Sequence, residues 1–261
     1  MDLLWLCGFA FLAGLVDSVV GGGGLIQLPA LLLLLPAPLA ASLPAVFGTN
    51  KLSSICGTSM AVIQYARRIP IQWPLVLPAA ITAFGFAFLG ARTVSTLRPE
   101  LLKPLILGLL VVVALWTYSQ KNWGQLHAPK LSPRAGLAYA VLVGASIGFY
   151  DGFFGPGTGS FLIFAFIGLF GFDFLNASAG AKVVNFATNL AAVIYFAATD
   201  SIYYAYALPM GFCNVLGSLA GTRLAILKGN RFVRGFFLCV VAAIIARLAY
   251  DLLPRLPGGQ R

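Results

Sequence analysis

The sequence predicts an all-α integral membrane protein with two homologous halves. Three observations predict it: 60% of the 261 residues are hydrophobic, only 9% are charged, and two stretches repeat each other with the same ionisable residues. Soluble domains carry about 25% charged residues, so this composition excludes a soluble globule. The lipid bilayer is therefore the first expected partner.

The formal net charge of +10 does not indicate nucleic acid as a partner. The basic residues are scattered between apolar runs and do not form a single basic surface with interspersed aromatic residues. They fit better as topology signals and as contacts with lipid headgroups.

The repeat defines the two halves. GLVDSVVGGGG at 14–24 matches GFYDGFFGPGT at 148–158 with an offset of 134, and Lys51 then matches Lys182 with an offset of 131. We expect a first transmembrane repeat at 1–119, a polar cytoplasmic linker at 120–134 and a second repeat at 135–261. Duplicated halves with interrupted apolar segments are typical of secondary transporters.

Ten apolar segments follow one another along the chain. They cover approximately 3–20, 24–36, 44–66, 74–96, 101–119, 135–153, 159–172, 177–198, 202–226 and 232–253. Segments 24–36 and 159–172 are short for the roughly 20 residues that cross a bilayer, and each follows a glycine cluster. We expect broken or re-entrant helices there, and roughly 8–10 membrane segments in all.

The loop charges favour an inverted topology of the two halves. If each half crosses the membrane an odd number of times, nine loop lysines and arginines lie on one face and five on the other, whereas an even number gives seven on each. The positive-inside rule therefore predicts inverted halves, a cytoplasmic linker and both termini outside.

Lys51 and Lys182 lie at matching places inside long apolar segments. A lysine at the bilayer centre costs about 2.5–3.5 kcal/mol, so each needs a partner or a water-filled cavity. We interpret them as ligands of an anionic substrate, together with Asn50, Asn185 and Asn189. The alternatives are that each lysine reaches the headgroups or pairs permanently with Asp17 or Asp151.

The glycine breaks are the second part of the predicted site. Backbone amides at the start of the following helix bind anions readily. The substrate-binding residues predicted at the two breaks are Gly22, Gly23, Gly24, Gly157, Thr158, Gly159 and Ser160. Asp17 and Asp151 each precede a break and have either a coupling-ion role or a structural role.

The sequence offers little material for catalysis or metal binding. His127 is the only histidine, the four cysteines lack metal-ligand spacing, and no GxSxG or HExxH pattern occurs. We expect no catalytic residue, no metal and no cofactor.

The chain resembles the TauE/SafE family of membrane permeases, often described as sulfite exporters. The resemblance lies in GLVDSVVGGGGLIQLPALL and GTNKL of the first half, and in GFYDGFFGPGTGSFL and AKVVNFATNL of the second. It implies a multi-pass permease of the bacterial inner membrane that moves small anions such as sulfite, sulfoacetate or related organosulfonates. The glycine breaks, Asn50 with Lys51, and Lys182 with Asn185 and Asn189 match the motifs of the family.

These observations together predict a secondary transporter that moves a small anion by alternating access, with export suggested by the resemblance. A passive anion channel is the alternative. The sequence leaves open whether a proton or a cation is the coupling ion and whether the chain forms a homodimer.

Overall fold

A computed structural model of the chain describes residues 2–96 and 131–252. Within these ranges the chain forms helices and no strand. In chain order they are α1 (Asp2–Val20), α2 (Gly23–Leu34), α3 (Ala37–Ala40), α4 (Leu43–Ala66), α5 (Trp73–Thr96), α6 (Pro133–Phe153), α7 (Thr158–Gly168), α8 (Phe174–Ala198) and α9 (Tyr204–Leu252). The all-α class is confirmed.

Five of these helices are long and apolar enough to cross a membrane: α1, α5, α6, α8 and the part of α9 from Tyr204 to Gly229. Helix α4 has 24 residues, which corresponds to about 36 Å at 1.5 Å per residue. It carries more polar residues than the other long helices, and several of them are buried inside the protein.

The two short segments after the glycine clusters are confirmed as short apolar helices. Helix α2 has 12 residues and α7 has 11, and each is separated from the preceding helix by a few non-helical residues. Gly21 with a φ of 78° and Gly155 with a φ of 92° turn the chain at the two breaks. Only glycine adopts this left-handed region without steric cost.

Side chains of other helices donate hydrogen bonds to the backbone carbonyl groups at the first break. The last carbonyl groups of α1 accept hydrogen bonds from side chains of three other helices: Tyr65 Oη donates to the carbonyl of Ser18, Ser178 Oγ to that of Val19, and Ser160 Oγ to that of Val20. A helix end at membrane depth needs such partners because lipid provides none.

The first helix of each half packs against a helix of the other half. Helix α1 packs along α9, and α6 packs along α5, which is the same relation with the halves exchanged. Gly14 of α1 contacts the backbone of Asn214, and its counterpart Gly148 contacts the backbone of Ala83. Glycines let membrane helices approach closely, so the duplication appears in the tertiary contacts as well as in the sequence.

Two elements differ from the prediction. Helix α7 ends at Gly168, not near 172, because Gly171 adopts a φ of 77° and the amide of Phe172 bonds back to the carbonyl of Phe166. Segments 202–226 and 232–253, by contrast, correspond to two helical stretches of α9 that the non-helical Gly229 separates, as predicted. Helix α3 was not predicted.

Several predictions lie outside the described residues. These are segment 101–119, most of the 120–134 linker with His127, and the residues after 252. The boundary between the repeats and the inverted orientation therefore stay predictions.

Candidate functional site

Four ionisable side chains are buried in the middle of the helical bundle. Lys51, Asp151 and Lys182 have at most 4% of their side chains exposed, and Asp17 has 17%. Among the other charged residues with described side chains, Asp173 is half-buried at the start of α8 and the rest are exposed. These four residues form the charged centre of the protein.

The charges pair across the two halves. Lys51 Nζ of the first half lies 2.8 Å from Asp151 Oδ1 of the second, and Lys182 Nζ of the second half lies 2.8 Å from Asp17 Oδ2 of the first. Both sequence-predicted lysines are thus inside the protein and both are paired with an aspartate in this conformation. The ion pairs, like the helix contacts, therefore join one half of the chain to the other.

The carboxylate of Asp17 lies at the start of α2. Its Oδ1 atom accepts a hydrogen bond of 3.4 Å from the backbone amide of Gly23, while its Oδ2 atom binds Lys182. A backbone amide at a helix N-terminus and an ammonium group both commonly bind oxyanions. The carboxylate of Asp17 therefore occupies the type of position that a bound anion requires.

Asp151 has a different environment. Its Oδ1 atom binds Lys51, but its Oδ2 atom is buried and has no hydrogen-bond partner among the described residues. Gly155 lies directly beside this pair, where a Cβ would be 3.0 Å from Lys51 Nζ. The glycine at the second break therefore leaves room for the lysine to approach.

The hydroxyl groups of the second break are used for backbone contacts. Thr158 Oγ1 donates to the carbonyl of Gly155 at 2.7 Å, and Ser160 Oγ donates to that of Val20 at 2.8 Å. Both were predicted to contact substrate. In this conformation their hydrogens stabilise the two breaks.

The glycines bring the two breaks together. Gly159 contacts Gly21 backbone to backbone, so that a Cβ on either residue would overlap the other. Gly157, with a φ of 85°, precedes α7 as Gly22 precedes α2, and Gly24 faces Pro156. The predicted glycine clusters are thus neighbours in space.

The predicted asparagines are all buried, with exposures of 4% for Asn50, 6% for Asn185 and 3% for Asn189. Asn189 Nδ2 makes a long hydrogen bond of 3.5 Å to Thr58 Oγ1, which joins α8 to α4. Of the three predicted asparagines, Asn189 therefore links these two helices through its side chain.

Two buried polar residues were missed at the sequence level. Gln27 of α2 and Asn214 of α9 are hydrogen-bonded to each other, Asn214 Nδ2 donating to Gln27 Oε1 at 2.9 Å. Each is a single amide in an otherwise apolar segment, and that interruption was the available signal.

An open apolar groove of about 520 Å³ lies between α6 and α7, with Leu142 and Leu169 among its lining residues. None of the four paired ionisable residues lines it. Within the described ranges, no group of three or more histidine, cysteine, aspartate or glutamate side chains is arranged to hold a metal ion.

Comparison with known proteins gives consistent matches. The family model described as sulfite exporter TauE/SafE matches residues 6–248. The chain is 35% identical over 250 residues to the "Probable membrane transporter protein ORF9" of Sinorhizobium sp, covering 95% of this chain and 93% of the relative. It is 33% identical over 243 residues to the "Probable membrane transporter protein YfcA" of Escherichia coli strain K12, covering 93% and 87%. No solved structure matches the chain.

The chain belongs to the TauE/SafE family, as the sequence motifs indicated. It is a membrane transporter, and the multi-pass location in the inner membrane agrees with its five long apolar helices. The names of the relatives also agree with the prediction that the chain is not an enzyme.

Proposed function

We propose that this TauE/SafE family member moves a small anion, namely sulfite, sulfoacetate or a related organosulfur or carboxylate anion, by alternating access. One observation carries the proposal: the carboxylate of Asp17 is held by Lys182 Nζ and by the amide of Gly23. A substrate oxyanion would compete for the same two ligands. Asp17 then acts as a tethered anion that keeps the site filled when substrate is absent.

Charge balance suggests the coupling. With both lysines protonated and both aspartates ionised, the four buried groups sum to zero, so one added monovalent anion would leave a net negative charge. A net charge is costly in a low-dielectric interior. Protonation of an aspartate as the anion binds to its lysine would keep the centre neutral, so we propose a proton as the coupling ion.

A tyrosine lies near each aspartate. Tyr65 interacts with the charge of Asp17, and Tyr150 with that of Asp151. Both phenolic hydroxyls donate to backbone carbonyls, of Ser18 and Pro156 respectively. Because the tyrosine hydroxyls make these structural contacts, we propose that the aspartates, and not the tyrosines, exchange the proton.

The two ion pairs differ in access. Asp17 is 17% exposed, whereas Asp151 is 1% exposed. Because the pairs are equivalent in the two halves, a second conformation would exchange the open and the closed pair. No side chain of either pair is more than 17% exposed, which favours an occluded site over a passive channel, because a channel needs a continuous polar pore.

Direction would follow the combined gradients of anion and proton. We propose export, because the matching family model is described as a sulfite exporter; anion and proton then leave together when the outward anion gradient exceeds the inward proton gradient.

The test uses purified protein in liposomes and uptake of small anions. The double variants Lys182→Met with Asp17→Asn and Lys51→Met with Asp151→Asn keep the centre neutral but remove the anion ligands. Both should lose at least ~90% of the transport rate, whereas Arg92→Gln, at an exposed position of α5, should not. Wild-type rates in both double variants would refute the proposal.

A further inference from the structure

The two halves of the chain differ at one buried cluster of amide side chains. Gln27 of α2, Asn50 of α4 and Asn214 of α9 are 0%, 4% and 3% exposed. Asn214 Nδ2 donates to Gln27 Oε1 at 2.9 Å, and Gln27 Nε2 donates to the backbone carbonyl of Asn50 at 3.3 Å. We call these three residues the amide cluster.

The corresponding place in the other half is apolar. The repeat offsets relate Gln27 to Phe161, Asn50 to Ala181, and Asn214 to Ala83. The same helix arrangement therefore exists without any of the three amides. Folding of this architecture does not require them, which points to a role at only one of the two equivalent places.

One oxygen atom of the cluster and one of a neighbouring serine have no hydrogen-bond partner among the described residues. These atoms, Asn50 Oδ1 and Ser53 Oγ, are both buried. The two residues are three apart on α4 and so share one helix face. A buried polar atom without a partner costs about 1–3 kcal/mol, so a group that persists there is expected to receive a hydrogen bond from a ligand.

The cluster lies close to the charged centre. Asn50 is adjacent to Lys51 in α4, and Gln27 is one turn after Gly23, whose amide binds the carboxylate of Asp17. Gly211, one turn before Asn214 on α9, packs near the Cα of Ser53, so α4 and α9 meet at this level. A small anion held at the charged centre could therefore extend into the cluster.

We propose that the amide cluster, with Ser53, is the specificity site of the transporter and selects anions that carry a hydroxyl or an acidic O–H group. The inference rests on the proposed function, because it assumes that an anion binds at the charged centre. Asn50 Oδ1 can only accept a hydrogen bond, so the ligand supplies a donor, and Ser53 Oγ can accept from or donate to the same hydroxyl group. Neutral amides orient such a group without adding charge.

The test compares two pairs of anions that differ by one hydroxyl group. These are hydroxyacetate with acetate, and 2-hydroxyethanesulfonate with ethanesulfonate, each measured by uptake into liposomes that contain the full chain. We expect the wild type to prefer the hydroxylated member of at least one pair by tenfold or more. A site built to bind a hydroxyl group discriminates strongly against the analogue that lacks it.

Ser53→Ala is the most direct variant, because it removes an unpaired buried oxygen and should not reduce stability. We expect it to lower the preference at least fivefold, and Gln27→Met to do the same. The matched control is Val184→Ala, at the position equivalent to Ser53 in the other half, which should keep the wild-type preference. Thermal unfolding of each variant measures stability separately.

The outcomes separate this inference from the proposed function. No hydroxyl preference in the wild type, or an unchanged preference in both Ser53→Ala and Gln27→Met, would overturn the specificity site even if the lysine variants abolish transport. A uniform fall in all rates with an unchanged ratio would also overturn it, since this is the result of a purely structural role. If the lysine variants transport normally, the proposed function fails, and the anion that reaches the cluster is not held by the lysines.

Discussion

Lys51 Nζ and Asp151 Oδ1 are 2.8 Å apart although the two residues belong to different halves of the chain, and neither side chain is more than 4% exposed. The pair is repeated by Lys182 and Asp17 with the halves exchanged. The duplicated sequence is therefore held together at its centre by two reciprocal ion pairs.

Asp151→Asn should strongly destabilise the protein, because it leaves the ammonium group of Lys51 buried without a counter-charge. Removing one partner of a buried pair costs about 3–5 kcal/mol. Adding Lys51→Met should restore most of the lost stability but not transport. Thermal unfolding of the detergent-purified protein checks the first result, and liposome uptake checks the second. Equal stability of the single and double variants would contradict the pairing.

Asp17→Asn should cost less stability than Asp151→Asn. Asp17 is 17% exposed, so water can partly compensate the charge left on Lys182, whereas Asp151 is 1% exposed. The two single variants should therefore unfold in the order Asp151→Asn first and Asp17→Asn second. The reverse order in the same detergent would show that the difference in access does not govern the ion pairs.

Transport of a monovalent anion should be electrically neutral. The charged centre sums to zero, so an anion that enters with one proton moves no net charge. An acidic exterior should accelerate uptake into liposomes, because protonation of an aspartate frees its lysine for the anion. A potassium diffusion potential set with valinomycin should change the rate less than twofold. A rate that follows the voltage and ignores the pH gradient would exclude proton coupling.

Gly159→Ala should destabilise the contact between the two breaks. A Cβ at this position would overlap the backbone of Gly21, and backbone cannot move aside as a flexible side chain can. Overpacking of this kind costs about 1–3 kcal/mol. The control is Gly85→Ala in α5, where nothing lies within 4 Å of the added Cβ and alanine favours the helix. Equal unfolding temperatures for both variants would argue against the close contact.

Ser178→Ala should cost about 1–3 kcal/mol, because it leaves the carbonyl of Val19 without the hydrogen bond that Ser178 Oγ donates at 3.1 Å. Ser95→Ala is the matched control, since Ser95 Oγ donates only to the carbonyl of Ala91 one turn earlier in its own helix. Thermal unfolding of the two variants side by side measures the difference. A loss of stability in Ser95→Ala as large as in Ser178→Ala would contradict a special role for the end of α1.

Much of the fold followed from the order of residues alone. Hydrophobic runs and glycine clusters located the long helices to within a few residues, and they identified α2 and α7 as short helices after a break. Lys51 and Lys182 were found because a charge inside an apolar run is costly wherever the chain folds. Thr158 and Ser160 stay predicted substrate ligands, and in this conformation their hydroxyls donate to the carbonyls of Gly155 and Val20.

The sequence by itself determined the membrane class, the duplication and the four ionisable residues, since each follows from composition or local spacing. Only the tertiary structure decided that each lysine binds the aspartate of the opposite half, and that Gln27 reaches Asn214 across 187 positions of the chain. Contacts between distant residues depend on how the helices pack. No local pattern records which of several buried polar groups will face each other.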